Sequence, residues 1–201
     1  NNYLDACQLD SGTRRADNDN GILASGKNYT DMEHKWDEAF GYLYGQEADA
    51  TRADLGTSPT GNGTTLNKYF KKINDSNEPG LASTVFDAFK LGRAAIVAGN
   101  YDVRDAQANI IKINLSKVVG YKAIDYLESY MSKKTATPAD AIHALSEGYG
   151  FILSLMFTND GTGSPYFSEA EVNSMLSKLS NFWTVQDSDL TQMANDIRGR
   201  F

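Results

Sequence analysis

One segment of this chain occurs twice, and the repeat constrains the fold more than any other feature. Residues 31–43 and 140–152 share an ordered set of Asp, His, Glu, aromatic, Gly and aliphatic residues at a constant offset. The chain has two histidines, and both occupy the same place in the repeat. Related segments at a fixed offset indicate a duplicated structural unit.

Helix signals dominate the rest of the chain. Thr30 and Glu33 form a capping box, which predicts a helix that ends near Tyr44. Thr137-Pro138 predicts the start of a second repeat helix, which should run to about Phe157. Further helices are predicted at about 66–73, 81–98, 102–132, 168–179 and 189–198, and loops at 1–29 and 46–65.

No stretch of the sequence alternates between apolar and polar residues in the manner of a β-strand. We therefore expect an all-α protein of about six or seven helices packed as a bundle. We expect residues 1–201 to form a single domain with repeat units at about 30–135 and 139–201, the second incomplete or permuted.

The repeat also carries candidate ligands. His34 and Glu38 are four residues apart, as are His143 and Glu147, so each pair lies on one helix face. Imidazole and carboxylate groups suit zinc or iron. If the duplicated units pack about a pseudo-two-fold axis, both pairs meet in one site. The predicted metal or ligand set is His34, Asp37, Glu38, His143 and Glu147, with Arg104 as a further ligand-binding candidate.

A second interpretation of the same residues is structural. The His–Glu pairs would then form a buried, fully hydrogen-bonded network that fixes how the repeats dock. Gly41 and Gly150, one turn further along each helix, have no side chain, so we expect another helix to approach closely there.

Charge and composition exclude other classes of protein. The formal net charge is −7 and no cluster of Lys and Arg supplies a basic patch, which argues against a nucleic-acid partner. No apolar run has the length of about 20 residues that a membrane-spanning helix needs. The single Cys7 excludes an internal disulfide. The zinc-protease pattern His-Glu-x-x-His is absent from the sequence.

Three segments, 32–42, 89–96 and 143–152, resemble the imelysin-like family of uncharacterised bacterial cell-envelope lipoproteins, within the imelysin and insulin-cleaving-peptidase-like superfamily. The resemblance implies duplicated helical bundles, a periplasmic or outer-membrane location, and a longer parent protein of which this chain is a C-terminal fragment. It also implies a Gly-x-His-x-x-Glu motif for metal binding or peptidase activity. His34 matches the motif histidine, Asp37 stands in place of its glutamate, and Met32 in place of its glycine.

Three functions follow as hypotheses. The first is a non-enzymatic cell-envelope protein that binds a ligand, with iron, zinc or another metal ion favoured, at the duplicated His-x-x-x-Glu site. The second is an imelysin-type metallopeptidase with Glu38 as general base. The third is a structural accessory subunit of an outer-membrane complex. The partner would be that complex or the missing N-terminal segment.

Overall fold

A computed structural model describes residues 2–56 and 63–201, and the regular secondary structure of these residues is helical throughout. The prediction of an all-α protein is confirmed. The α-helices are α1 (Ala6–Leu9), α2 (Arg14–Asp19), α3 (Asp31–Tyr44), α4 (Thr65–Ser76), α5 (Leu81–Val97), α6 (Tyr101–Lys133), α7 (Pro138–Ser154), α8 (Glu169–Lys178) and α9 (Asp187–Arg198). Short 3₁₀ helices occupy Asn2–Leu4, Ala50–Leu55 and Leu155–Phe157.

Local capping chemistry sets the starts of several helices. The hydroxyl of Thr30 accepts the backbone N–H of Glu33 at 3.3 Å, and the Glu33 carboxylate accepts the Thr30 N–H at 2.6 Å. Ser168 and Glu171 form the same reciprocal capping box at the start of α8. Pro138 is the first residue of α7, where its missing N–H costs no hydrogen bond.

The predicted loops contain more structure than expected. Residues 1–29, predicted as a turn-rich connection, include α1, α2 and the 3₁₀ helix Asn2–Leu4, so that prediction is wrong. The predicted loop 46–65 contains the 3₁₀ helix Ala50–Leu55, and its residues 57–62 lie outside the described part of the chain.

The chain divides into two compact units, Asn1–Lys112 and Ile113–Phe201, which we call the first and second unit. Each unit contains one repeat helix, α3 in the first and α7 in the second. None of the helices formed by residues 2–56 and 63–201 combines the length and the apolarity that crossing a bilayer takes.

In the first unit, α3 packs against α5 through aromatic side chains. The Trp36 ring meets Phe89 edge-on at 5.9 Å between centroids, and its Nε1–H donates to the Phe89 carbonyl at 2.9 Å. Phe40 and Tyr44 contact the same ring at 5.6 and 6.0 Å. A buried aromatic pair of this kind adds about 0.5–1.5 kcal/mol beyond the area that it buries.

In the second unit, the apolar face of α7 lies in a core shared with α6, α8 and α9. Leu145 and Ile152 are fully buried there, as are Leu127, Val172 and Leu190 from the other three helices. The larger side chains that α7 buries, Leu145 and Ile152, are aliphatic, whereas α3 buries Trp36 and Tyr44.

The two repeat helices bury equivalent positions. Met32, Trp36 and Leu43 of α3 are buried, and so are their counterparts in α7, which are Ala141, Leu145 and Ile152. The repeat therefore preserves a packing face. The imelysin-like duplication of whole bundles, and the repeat boundaries near 135–139, stay predictions.

The repeated glycines do not serve the predicted purpose. A Cβ atom built on Gly41 or Gly150 meets no atom of the described chain within 4 Å, so no helix approaches closely at either. Close approach occurs elsewhere, at Gly92 against the ring of Trp36 and at Gly148, where a Cβ would lie 3.1 Å from that of Tyr126. Gly120 is likewise packed against the ring of Phe201, so close packing requires glycines outside the two repeated positions.

Candidate functional site

The first predicted pair lies on the surface of α3. His34 Nε2 is 3.5 Å from Glu38 Oε1, as the four-residue spacing predicts, and the His34 side chain is 45% exposed. Glu38 also binds Lys35 at 2.6 Å, and the ring of Tyr29 stacks on His34 with centroids 5.2 Å apart. The imidazole is thus held between a carboxylate and an aromatic ring.

Asp37 is engaged in an ion pair across two helices. It accepts Nε of Arg93 at 2.9 Å, and Nη1 of the same guanidinium donates to Glu33 at 2.7 Å. Arg93 belongs to α5, so two carboxylates of α3 form ion pairs with one guanidinium of the neighbouring helix. Glu33 and Asp37 lie on the side of α3 next to its buried face. We call this side the flank, and Arg93 covers it.

The second predicted pair is more exposed than the first. His143 Nε2 is 3.8 Å from Glu147 Oε1, and the His143 side chain is 76% exposed. Neither pair is a buried network of the kind that the structural interpretation requires. Within the described residues, no three His, Cys, Asp or Glu side chains are grouped so as to hold a metal ion. That the two pairs meet in one site stays a prediction.

Arg104 has a different environment. Its side chain is 0% exposed, and it donates to Asp10 at 2.6 Å and to Asp105 at 2.7 Å. Its guanidinium also lies 4.9 Å from the ring centroid of Tyr101. The hydrogen bond from Arg104 holds the pKa of the Asp10 carboxyl below its ordinary value. Arg104 therefore fastens the N-terminal segment to α6, and its assignment to a ligand site stays a prediction.

An open groove in the second unit lies beside α7. Its volume is about 500 Å³, within the range of about 300–1,000 Å³ typical of small-molecule sites. The side chain of Trp183 is 77% exposed at the groove, which is unusual for so large an apolar group. The lining residues are Ile142, Ser146, Tyr149, Leu179, Ser180, Asn181, Phe182 and Trp183.

The loop between α8 and α9 forms one wall of this groove, and hydrogen bonds fix its shape. The side chain of Asn181 accepts the backbone N–H of Trp183 at 3.0 Å, and its carbonyl accepts that of Thr184 at 3.2 Å. The hydroxyl of Tyr130, on α6, donates to the Phe182 carbonyl at 3.0 Å. The wall is therefore preorganised, which lowers the entropy cost of binding.

The groove occupies the same flank of the repeat helix that Arg93 covers in the first unit. Ile142, Ser146 and Tyr149 of α7 stand where α3 has Glu33, Asp37 and Phe40. The positions that hold carboxylates in the first unit thus hold an aliphatic side chain and a small hydroxyl in the second. The flank of α7 therefore lacks the two carboxylates that bind Arg93 in the first unit.

The comparison with protein families decides where the chain belongs. A family model described as "Domain of unknown function (DUF4856)" matches residues 1–201. The chain belongs to the DUF4856 family. No curated protein and no solved structure matches it. The resemblance to imelysin-like proteins is not addressed by the DUF4856 match and stays a prediction.

The sequence of this DUF4856 chain predicts the helix that borders the groove but not the groove itself. His143 follows Ile142 and Glu147 follows Ser146 in the sequence. The predicted His–Glu pair therefore lies on the stripe of α7 next to the stripe that lines the groove. The usable signal was Phe182-Trp183, two adjacent aromatics flanked by polar residues in a segment without helical periodicity.

Proposed function

We propose that the protein is a non-enzymatic binding protein that holds a small uncharged ligand in the groove of the second unit. The exposed Trp183, on a loop whose backbone is fixed by hydrogen bonds at a groove of about 500 Å³, carries the proposal. A single exposed apolar side chain is common on protein surfaces, and what distinguishes Trp183 is that it borders a groove lined by further aromatic and aliphatic side chains.

The chemistry of the lining supports binding rather than catalysis. None of the described residues that line the groove bears a carboxylate, an imidazole, an amine or a thiol. General acid–base catalysis most often uses such a group within hydrogen-bond reach of the reacting atom, although a tyrosine phenol such as that of Tyr149 can also serve. The other lining groups are rings, aliphatic carbons, serine hydroxyls and one amide, which suit the orientation of a ligand.

The hypothesis of a non-enzymatic ligand-binding protein is thus kept, and its site moves from the His–Glu pairs to the adjacent stripe of α7. A metal ion at the pairs, a metallopeptidase, an accessory subunit and a cell-envelope location stay predictions, and the groove lends none of them specific support.

A fragment screen tests the proposal. A library of small uncharged molecules is screened by ligand-observed NMR against the native chain and against Ser146→Arg. Ser146 is exposed, so the long side chain fills the groove without entering the core. The matched control is Ser132→Arg, an exposed serine of the same unit that does not line the groove.

We expect fragments that bind the native chain and Ser132→Arg and that are lost in Ser146→Arg. If no fragment is lost in Ser146→Arg, the groove is not a ligand site and the proposal is wrong.

A further inference from the structure

The chemical class of the groove ligand is constrained first by the aromatic rings. Trp183 is the most exposed of the large apolar side chains in the described chain. Tyr149 and Phe182 lie next to it in the lining, with ring centroids 6.2 Å apart and planes inclined at 56°. The rings are thus set at an angle and not stacked on each other, so ring surface remains for a ligand.

Polar groups are placed around these rings. Ser146 and Ser180 each contribute a hydroxyl, and Asn181 contributes an amide whose oxygen is already used by the Trp183 N–H. Within the described chain, neither hydroxyl nor the Asn181 Nδ2 has a protein partner. Hydroxyls donate and accept, and an amide nitrogen donates twice, so these groups can pair with ligand hydroxyls of either orientation.

Charge narrows the class further. The described lining residues are all uncharged, and the chain as a whole carries a formal charge of −7. A phosphate or carboxylate ligand would find no cation in the groove, and a polyanion would be repelled by the protein. These observations exclude an anionic ligand, and the rings and unpaired polar groups suit a neutral ligand that has hydroxyl groups and can cover an aromatic ring.

We infer that the groove binds a neutral glycan, an inference that rests on the binding function proposed above. A pyranose ring presents a face of C–H groups that packs on an aromatic ring, while its hydroxyls point outward from the ring edge. Trp183 provides the stacking surface. Ser146, Ser180 and Asn181 provide the hydrogen bonds that orient the sugar. The open groove admits one part of a longer chain while the rest extends into solvent.

Isothermal titration calorimetry with neutral oligosaccharides tests this inference. The probes are linear oligomers of β-1,4-glucose, α-1,4-glucose, β-1,3-glucose, β-1,4-xylose and β-1,4-mannose, and an oligogalacturonate serves as the charged comparison. The native chain is measured beside Trp183→Ala, which removes an exposed side chain and so leaves the core intact. The matched control is Tyr42→Ala, which removes another exposed aromatic, 66% accessible, from the first repeat helix.

We expect at least one neutral oligomer to bind and the oligogalacturonate not to bind. Affinity should fall by about two- to tenfold in Trp183→Ala, which is the range that one aromatic contact contributes, and should be unchanged in Tyr42→Ala. In ¹H–¹⁵N spectra the indole N–H signal that is missing from Trp183→Ala should be the one that shifts on titration.

Two results would overturn the inference. One is that no neutral oligomer binds, and the other is that binding is the same in Trp183→Ala as in the native chain. If either result appears while uncharged fragments are still lost in Ser146→Arg, the glycan is excluded and the binding groove stands. If the fragments fail as well, both proposals fall.

Discussion

Helices α3 and α7 bury three equivalent positions of the repeat but differ on the adjacent flank. In α3 that flank carries Glu33 and Asp37, and Arg93 of a neighbouring helix closes it with two ion pairs. In α7 the corresponding positions are Ile142 and Ser146, and the flank borders an open groove. The comparison teaches that the buried face and the flank of one repeated helix can change independently. The ion pairs of Glu33 and Asp37 with Arg93 have no counterpart at Ile142 and Ser146, and the loop between α8 and α9 borders the groove there.

The largest expected effect tests whether the buried faces of α3 and α7 are equivalent. Trp36→Ala should lower the free energy of unfolding by about 3–5 kcal/mol and Leu145→Ala by about 2–5 kcal/mol, because each leaves a cavity in a close-packed core. Trp36→Ala also leaves the Phe89 carbonyl without the indole N–H. Urea unfolding followed by circular dichroism measures both. Trp183→Ala, the exposed tryptophan, should change stability by less than about 0.5 kcal/mol. A Trp36→Ala loss no larger than that control would show that the α3 face is not a core position.

The glycines sharpen the comparison through the sign of their effects. Gly92→Ala should destabilise by about 1–3 kcal/mol, because its Cβ collides with the buried ring of Trp36. Gly150→Ala should instead stabilise by up to about 1 kcal/mol, since it lies in α7 with open space around it and alanine favours a helix. Thermal melts of both variants measure the difference. Gly41→Ala is the counterpart in α3 and should follow Gly150→Ala, so a fall in its melting temperature would contradict the open environment found for the repeated glycines.

A smaller effect comes from giving the first repeat helix the flank residue of the second. Asp37→Ser removes one of the two carboxylates that hold Arg93, and the loss should be about 0–1 kcal/mol because Asp37 is half exposed. High salt should shrink the difference between variant and native chain, since it screens surface charges. Ser146→Asp is the reciprocal change and should leave stability within about 0.5 kcal/mol of native. At about 1 M salt the Debye length is about 3 Å, so a surface ion pair is largely screened. If Asp37→Ser lowered the free energy of unfolding as much at that salt concentration as at low salt, loss of the ion pair would not be the cause of the destabilisation.

The smallest expected effect concerns how the stability of the second unit falls at acid pH, through the carboxyl group of Glu171. The hydrogen bond from Arg200, followed by that from Ser168, lowers the pKa of Glu171 in the second unit to about 2. An unfolded glutamate titrates near about 4.3, so the stabilising contribution is complete above that pH and is lost as pH falls toward about 2. Glu171→Gln removes this titration. Urea midpoints measured between about pH 5 and pH 2 should therefore fall less steeply in the variant than in the native chain. Parallel slopes would mean that other carboxylates account for the acid sensitivity.

What the sequence could predict depended on how local the cause was. The capping residues Thr30 and Ser168 and the proline at 138 act within one turn, and the helices they start are present as predicted. The contacts within the His–Glu pairs also follow from helix geometry alone, at 3.5 and 3.8 Å.

Long-range causes were not visible in the sequence. The helices of the N-terminal segment depend on partners far along the chain, such as the ion pair of Asp10 with Arg104. The groove lies between α7 and the loop that joins α8 and α9. These two segments are about 30 residues or more apart, beyond the few residues over which helix and turn patterns act. Its residues carry no motif, because they act through surface shape and uncharged polar atoms. The repeated glycines Gly41 and Gly150 likewise do not lie at close helix contacts. Whether a helix approaches a glycine depends on the residue that faces that glycine.

The placement of the two tryptophans has a spectroscopic consequence. Trp36 is 1% exposed in the first unit, and Trp183 is 77% exposed in the second. The intrinsic fluorescence of the native chain is therefore the sum of a shielded, blue-shifted emitter and a hydrated, red-shifted one. A small neutral quencher such as acrylamide collides readily with one indole and scarcely with the other, so a Stern–Volmer plot should curve downward. The protected fraction of the emission then reports the integrity of one aromatic core, while the quenched fraction reports what covers the groove, in a single unlabelled sample.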